Sequence, residues 1–134
     1  MTEPLDTYDL DIAARTVYGE ARGEPAEGRL AVARVIVNRY QAGNASLQAV
    51  CEKPFQFSCW NKNDPNEPKI RAVTYDDLTL RECLSAVLAA LDPRSVDPTQ
   101  GSKHYHAVGT EAWWAAGRQP VAIISGHAFY NDVA

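Results

Sequence analysis

The sequence predicts a mainly helical α+β fold in one domain, with a small β element in the C-terminal third. Three observations predict it. Apolar residues recur at helical spacing in three segments before residue 92. Proline, asparagine and aspartate collect in an aperiodic stretch at residues 53–75. After residue 103 the pattern shortens into runs of about four residues separated by turn residues. With 134 residues the chain suits one domain that buries a real core, and it contains no internal repeat or long linker.

Taken in order, Asp6 or Thr7 caps a first helix, Thr7 to Ala21, in which Leu10, Ala13, Ala14, Val17 and Ala21 share a stripe. Gly23 and Pro25 stop it. Pro25 reads as the first residue of a second helix running through Tyr40, with Glu27 near its positive end. Leu30 to Val37 is apolar on nearly every side. A buried strand has the same composition, but the proline start and the length favour a central buried helix. Gly43 and Asn44 end it, and Ser46 caps a short helix, Leu47 to Glu52. Residues 53–75 read as loop. Thr79-Leu80-Arg81-Glu82 fits a capping box, followed by a stripe of Leu80, Leu84, Val87, Leu88 and Leu91 that stops before Pro93. Beyond it, His104 to Ala107 reads as a strand and Glu111 to Ala116 as a short helix. Val121 to Ile124 and His127 to Tyr130 read as two strands joined by a tight turn at Ser125-Gly126.

Composition removes several function classes. Hydrophobic residues make up 46% and charged residues 22%, ordinary for a globular chain. A net charge of −4 supplies no basic field for nucleic acid, and none for capture of an anionic polymer. Binding must therefore come from a shaped groove. No apolar run approaches the ~20 residues that span a bilayer, so no stable membrane association is expected. Met1 to Asp11 lacks the basic and apolar regions of a signal peptide. The chain is thus expected to stay cytoplasmic until another machine releases it, unless it has been trimmed. Cys51, Cys59 and Cys83 are odd in number and show no CxxC pairing. Buried free thiols are expected; the alternative is a Cys51–Cys59 disulfide formed in an oxidising compartment.

The densest chemistry lies at Tyr18-Gly19-Glu20-Ala21-Arg22-Gly23-Glu24-Pro25. At about 100° per residue, Glu20 falls at the edge of the apolar stripe, in the last turn, where unpaired carbonyls make the helix end negative. Partial burial and that negative end both disfavour the ionised carboxylate, while Arg22, if close, favours it. A carboxylic acid kept protonated is what glycosidic cleavage requires, because the leaving sugar oxygen needs a proton. Acids near helix ends are usually solvated, however, so pattern alone does not single out Glu20. Glu24, at the start of the second helix, reads as a complement to the dipole.

The block Ala14-Arg15-Thr16-Val17-Tyr18-Gly19-Glu20-Ala21-Arg22-Gly23-Glu24-Pro25, with Glu27-Gly28 and Val32-Ala33-Arg34-Val35-Ile36-Val37-Asn38-Arg39, resembles the signature of the SleB/CwlJ-type cell-wall hydrolases. Phe57-Ser58-Cys59-Trp60-Asn61, Pro98-Thr99-Gln100-Gly101 and Gly126-His127-Ala128-Phe129-Tyr130 agree with it, so the likeness covers about residues 12 to 131. It implies a lysozyme-related catalytic domain that cuts the bond between N-acetylmuramic acid (MurNAc) and N-acetylglucosamine (GlcNAc) in peptidoglycan glycan strands, with Glu20 as the catalytic residue. It further implies a lytic transglycosylase: Glu20 protonates the leaving oxygen, then accepts the proton of the muramic acid 6-hydroxyl as a 1,6-anhydro ring closes. One carboxylate serves both steps, whereas hydrolysis ordinarily uses two. Asp64, Asp76, Asp77 and Asp97 all read as loop or cap residues, which favours the transglycosylase over the alternative, a hydrolytic muramidase. The expected protein is a monomer needing no cofactor or metal, in an endolysin-like role.

Sugars are held by aromatic faces and a few polar groups. Phe55, Phe57 and Trp60, with Gln56, Ser58 and Asn61 between them, suit such a wall, though Phe57 and Trp60 serve equally as plugs under a long loop. The expected substrate contacts are Phe57, Ser58, Trp60, Tyr105, His127 and Tyr130. Of the adjacent Trp113 and Trp114, one faces inward and the other is more exposed. His104 and His106 share a strand face and His127 lies on a neighbouring strand. Convergence of all three would make a zinc site and hence a peptidoglycan amidase or peptidase, but no HExxH or comparable spacing accompanies them. His104-Tyr105-His106 departs from the aromatic and asparagine-rich stretch associated with the spore members. A third class, a non-catalytic wall-binding module, requires Glu20 to be dispensable.

Overall fold

Asp6 opens the first helix, α1 (Thr7–Ala21), by a reciprocal cap. The Asp9 amide donates to Asp6 Oδ1 at 2.9 Å, and the Asp6 amide to Asp9 Oδ2 at 3.1 Å. The structure is a computed structural model that describes residues 4–53 and 56–133; Phe55 lies outside them. Helix α2 (Ala26–Ala42) starts one residue later than its proline suggested, because Pro25 is extended and serves as the cap. Ser46 caps α3 (Leu47–Glu52), accepting from the Ala49 amide at 3.0 Å. The buried Asp9 ties this helix to α1 by accepting from the Gln48 amide at 2.9 Å.

The expected loop at 53–75 holds a 3₁₀ turn at Ser58–Trp60 and a helix, α4 (Glu67–Ala72). Six residues are too few to display a period, and Pro68 sits in the first turn, where its missing N–H costs nothing. Helix α5 (Leu78–Leu91) is capped by Asp77, not Thr79: Asp77 Oδ1 accepts from the Thr79 and Leu80 amides at 2.8 and 3.2 Å. Its buried stripe is Leu80, Cys83, Val87 and Ala90, whereas Leu88 is half exposed. The small apolar Cys83 and Ala90 carry a stripe that a count of leucines alone displaces.

Helix α2 is buried on both sides, which explains why Ala31 to Val37 is apolar except for Arg34, whose guanidinium donates to the Ser95 carbonyl at 3.0 Å and hydroxyl at 2.7 Å. One side joins α1, α3 and α5 in the main core, around Val17, Val32, Ile36 and Val87. The other presents Ala31 and Val35 to Phe129 of the sheet. The sheet contains β1 (His104–Ala107), β2 (Ala122–Ile124) and β3 (His127–Tyr130) in the antiparallel order β1-β3-β2. A 3₁₀ turn at Trp113–Ala115 replaces the expected short helix.

Pairing sets Tyr105 opposite Phe129, and Ala107 and Ile124 opposite His127, so these residues share the face toward the helices. His104, His106, Ile123, Ala128 and Tyr130 share the other. At the β2–β3 turn it is Ser125 that takes the positive φ, +52°. Gly126 gives room to a neighbour instead: a Cβ there would lie 2.5 Å from Glu24 Oε1 and would displace that carboxylate from its place.

Candidate active site

Three segments meet at the C-terminal end of α1, and Gly19 lets them approach. A Cβ at Gly19 would lie 2.7 Å from Cys59 Cβ and 3.0 Å from Ile70 Cγ2, so the 3₁₀ turn and α4 press directly on the helix backbone. Glu20, the next residue, is partly buried. The Tyr105 hydroxyl donates to Glu20 Oε1 at 2.6 Å, across 85 positions of sequence. Burial, then the Glu20 charge and this hydrogen bond, hold the Tyr105 phenol well above its usual range. Tyr105 is therefore a permanent donor. One carboxylate oxygen of Glu20 is fixed by the protein.

The surroundings of that carboxylate are equally specific. Burial, with the Glu20 charge second, raises the Cys59 thiol, which stays neutral. The His127 ring stands edge-on to Tyr105, centroids 4.9 Å apart. Burial lowers the His127 pKa, although Glu24 and Glu20 pull it upward, so the ring is favoured as neutral imidazole. Glu24 is not a mere helix-dipole partner: its Oε1 lies 3.4 Å from His127 Nδ1, packed over Gly126. Arg22 turns away from Glu20, donating to Asn66 Oδ1 at 2.7 Å with its guanidinium 5.2 Å from the centre of the Tyr18 ring. Arg39 lies within electrostatic reach of Glu20. Its guanidinium lies over Phe57 at 4.9 Å and donates to the Lys103 carbonyl at 2.6 Å and to Gln56 Oε1 at 3.1 Å. Burial lowers its pKa.

Of the expected substrate contacts, Tyr105 and His127 face Glu20's side of the sheet. Ser58 is exposed and Trp60 partly so, in the turn that also carries Cys59. Trp60 Nε1 donates to Thr16 Oγ1 at 2.8 Å, which fixes the indole against α1. Two expectations need correction. Phe57 is 1% exposed and packs in the core under Arg39, so it is a plug and not a wall. Tyr130 lies on the opposite face of the sheet, hydrogen-bonded to His106 Nε2 at 2.9 Å and edge-on to Trp114. Strand alternation likewise separates His104 and His106 from His127, so the three do not converge. Trp114 packs on His104 and His106, while Trp113 is 89% exposed.

Arg39 was missed as a site residue, although it closes the Val32–Arg39 block and is a charged residue extending an otherwise buried run. Nothing local in the sequence marks Tyr105 as the partner of Glu20. Cys51, Cys59 and Cys83 are all free and buried, and Cys51 and Cys59 form no disulfide. Asp97 is a loop anchor. Its carboxylate accepts from Asn38 Nδ2 at 2.9 Å, the Thr99 amide at 2.8 Å and hydroxyl at 2.7 Å, and the Gly101 amide at 2.8 Å.

Fold and site define a mainly helical α+β domain that presents one carboxylate, gripped by a partly buried tyrosine, at the end of its first helix. The chain belongs to the cell wall hydrolase family, which matches residues 23–130; Glu20 lies just before that span. It is 34% identical over 128 residues to a spore cortex-lytic enzyme of Bacillus subtilis, covering 90% of this chain and 37% of that protein. A spore cortex-lytic enzyme of Halalkalibacterium halodurans is 32% identical over 126 residues, covering 92% of this chain and 34% of the relative. The chain thus spans about a third of the length of these curated relatives. The catalytic domain of the germination-specific lytic transglycosylase SleB from Bacillus anthracis superposes with a TM-score of 0.74 at 27% identity, covering 96% of this chain and 98% of that one. The catalytic domain of Bacillus cereus SleB gives 0.76 at 28% identity, covering 96% and 94%.

Proposed function

We propose that this chain is a peptidoglycan glycosidase that cleaves the MurNAc–GlcNAc bond as a lytic transglycosylase, with Glu20 as its acid and base. The observation that carries the reading is the 2.6 Å hydrogen bond from Tyr105 to Glu20 Oε1. It restrains the carboxyl group, which supports Glu20 as the group presented to the substrate. In the first step Glu20 gives its proton to the GlcNAc O4 as the bond to the MurNAc anomeric carbon breaks. In the second, the Glu20 carboxylate takes the proton of the MurNAc 6-hydroxyl while O6 bonds to that carbon. The proton lent to O4 is replaced by the one taken from the 6-hydroxyl, so Glu20 is regenerated, no water is consumed and a 1,6-anhydro end forms.

Hydrolysis with inversion or retention calls on a second carboxylate at the sugar. Of the loop and cap aspartates, Asp97 holds its own loop, Asp77 caps α5, and Asp64 accepts from the Asn66 amide at 2.8 Å; Glu24 sits beside His127, with Oε1 3.4 Å from Nδ1. This supports the one-carboxylate route, as does the likeness to a domain described as a lytic transglycosylase. Mass spectrometry of digested sacculi is the test. Anhydro-muramic ends are expected, and reducing muramic ends in their place refute the transglycosylase step. Glu20→Gln is expected to abolish digestion with an unchanged thermal midpoint; retained activity refutes the assignment of the acid.

A further inference from the structure

Beside the site lies a cavity of about 480 Å³, within the ordinary range for a small-ligand cleft. Arg39, Lys53 and Lys103 line it together with Gln56 and His104, and among the described residues no aspartate or glutamate does. Small residues such as Gly43, Ala45 and Ala49 also line it, which leaves room for a chain of atoms. This concentration of positive charge occurs in a chain with 17 acidic and 13 basic residues. Arg15, Arg29, Arg71, Arg94 and Arg118 each pair with a carboxylate. Among the described residues, the three cations at the cavity have no carboxylate within ion-pair distance, as is also true of Arg22, Arg34, Arg81, Lys62 and Lys69. What sets the three apart is that they line one cavity.

Two connections join the cavity to the reacting centre. Arg39 lines it and is also coupled electrostatically to Glu20 and Tyr105. Lys103 is held by its carbonyl to the Arg39 guanidinium and precedes Tyr105 by two positions on the same chain segment. A muramic acid residue placed with its glycosidic oxygen at Glu20 carries its lactyl substituent, and the peptide built on it, outward from the sugar ring. Where a stem is attached, the lactyl carboxyl is tied up in an amide and the free carboxylates belong to the peptide; GlcNAc has none.

We infer that the Arg39–Lys53–Lys103 cavity binds a carboxylate of the peptide stem attached to the muramic acid in the active site. The inference rests on the function proposed above and names the part of the substrate that gives register. A chain with net charge −4 gains no general attraction to an anionic wall. A local basic basin instead rewards a strand whose stem enters it, and it favours glycan with free stem carboxylates over glycan whose stem carboxylates are amidated.

The test uses sacculi stripped of phosphate polymers with hydrofluoric acid, either intact or with their stem carboxylates converted to neutral amides by carbodiimide and ethanolamine. The protein as it stands is expected to show a KM roughly three- to tenfold higher on amidated sacculi, with kcat held within about twofold, the range for losing solvent-edge charge contacts. Lys53→Gln/Lys103→Gln is expected to show the raised KM already on intact sacculi, with no further rise on amidated ones. Both lysines are exposed, and a thermal melt establishes that the variant is folded. Equal KM on the two substrates for the unaltered protein overturns the inference, as does a double variant that remains fully sensitive to amidation. Anhydro ends released at equal rates from both substrates would overturn the stem site and leave the glycosidase reading intact. Absence of glycan cleavage on either would overturn the function itself.

Discussion

Gly19→Ala sets helix propensity against packing, and the structure decides the sign. Alanine in a helix interior is better than glycine by roughly 1 kcal/mol, so propensity alone expects stabilisation. The added methyl carbon, however, would stand 2.7 Å from Cys59 Cβ, 2.9 Å from its Sγ and 3.0 Å from Ile70 Cγ2. Ordinary carbon contacts lie near ~3.5–4.0 Å. Cys59 and Ile70 are fully buried, and Cys59 Cβ is anchored directly to the turn backbone, so the overlap is relieved only by moving that turn. Overpacking of this kind costs about 1–3 kcal/mol. With three close contacts the upper half of that range applies, for a net loss of about 1–2 kcal/mol and a melting temperature lower by roughly 3–8 °C at this chain length. Thermal and urea unfolding measure it. Repeating the substitution in a Cys59→Gly background removes the contacts at 2.7 and 2.9 Å and leaves a methyl that needs to give by a few tenths of an ångström. There Gly19→Ala is expected to stabilise. A higher melting temperature for Gly19→Ala in the unaltered background, or the same sign in both, refutes the reasoning.

Tyr105→Phe removes the donor to Glu20, and kcat on sacculi is expected to fall about 10- to 100-fold if the bond is worth the ~1.5–3 kcal/mol of a charge-assisted contact; unchanged kcat would mean Glu20 is oriented by other groups. At Asp97 burial alone would raise the pKa, but hydrogen bonds from Asn38, Thr99 and Gly101 outweigh it and hold the carboxyl below its usual value. Its contribution is therefore complete above the unfolded pKa near ~3.9 and is lost as pH falls through the lower folded value. Asp97→Asn should lower stability at neutral pH and flatten the acid limb of the stability–pH curve, read by urea titration at stepped pH. Burial raises the Cys51 thiol to about 12 and the Cys83 thiol to about 11, and pushes Cys59 up as well. Iodoacetamide at pH 8 is expected to label no cysteine in the native protein and all three in denaturant, as counted by intact mass; rapid native labelling would contradict the burial.

Much of the helical half is legible because its signals are local. Asp6 and Ser46 mark helix starts by side-chain chemistry, and the run from Ala31 to Val37 declares a helix with no solvent face. Helix α4 escapes because six residues hold less than two turns, and the α5 stripe is displaced because Cys83 and Ala90 are small. Around the site the divide is sharper. Glu20 emerges from a long sequence resemblance and from its place near the end of α1. Which residues surround it depends on pairings between distant segments: Tyr105 from β1, Arg39 from the far end of α2, and Glu24 through His127. Strand alternation was readable, yet which face turns inward was not, and that choice moved Tyr130 away from the acid while keeping His127 beside it.

The span between Glu20 and Tyr105 has a consequence for biosynthesis. Glu20 is made on a helix whose packing partners α2 and α5 follow it, while its hydroxyl partner arrives 85 residues later on a strand that docks through Phe129. A nascent or clipped chain lacking the sheet keeps the glutamate but lacks the tyrosine that aims it. Under the function proposed above, the ability to cut is thereby tied to docking of the β half, so the later segment arms the earlier one.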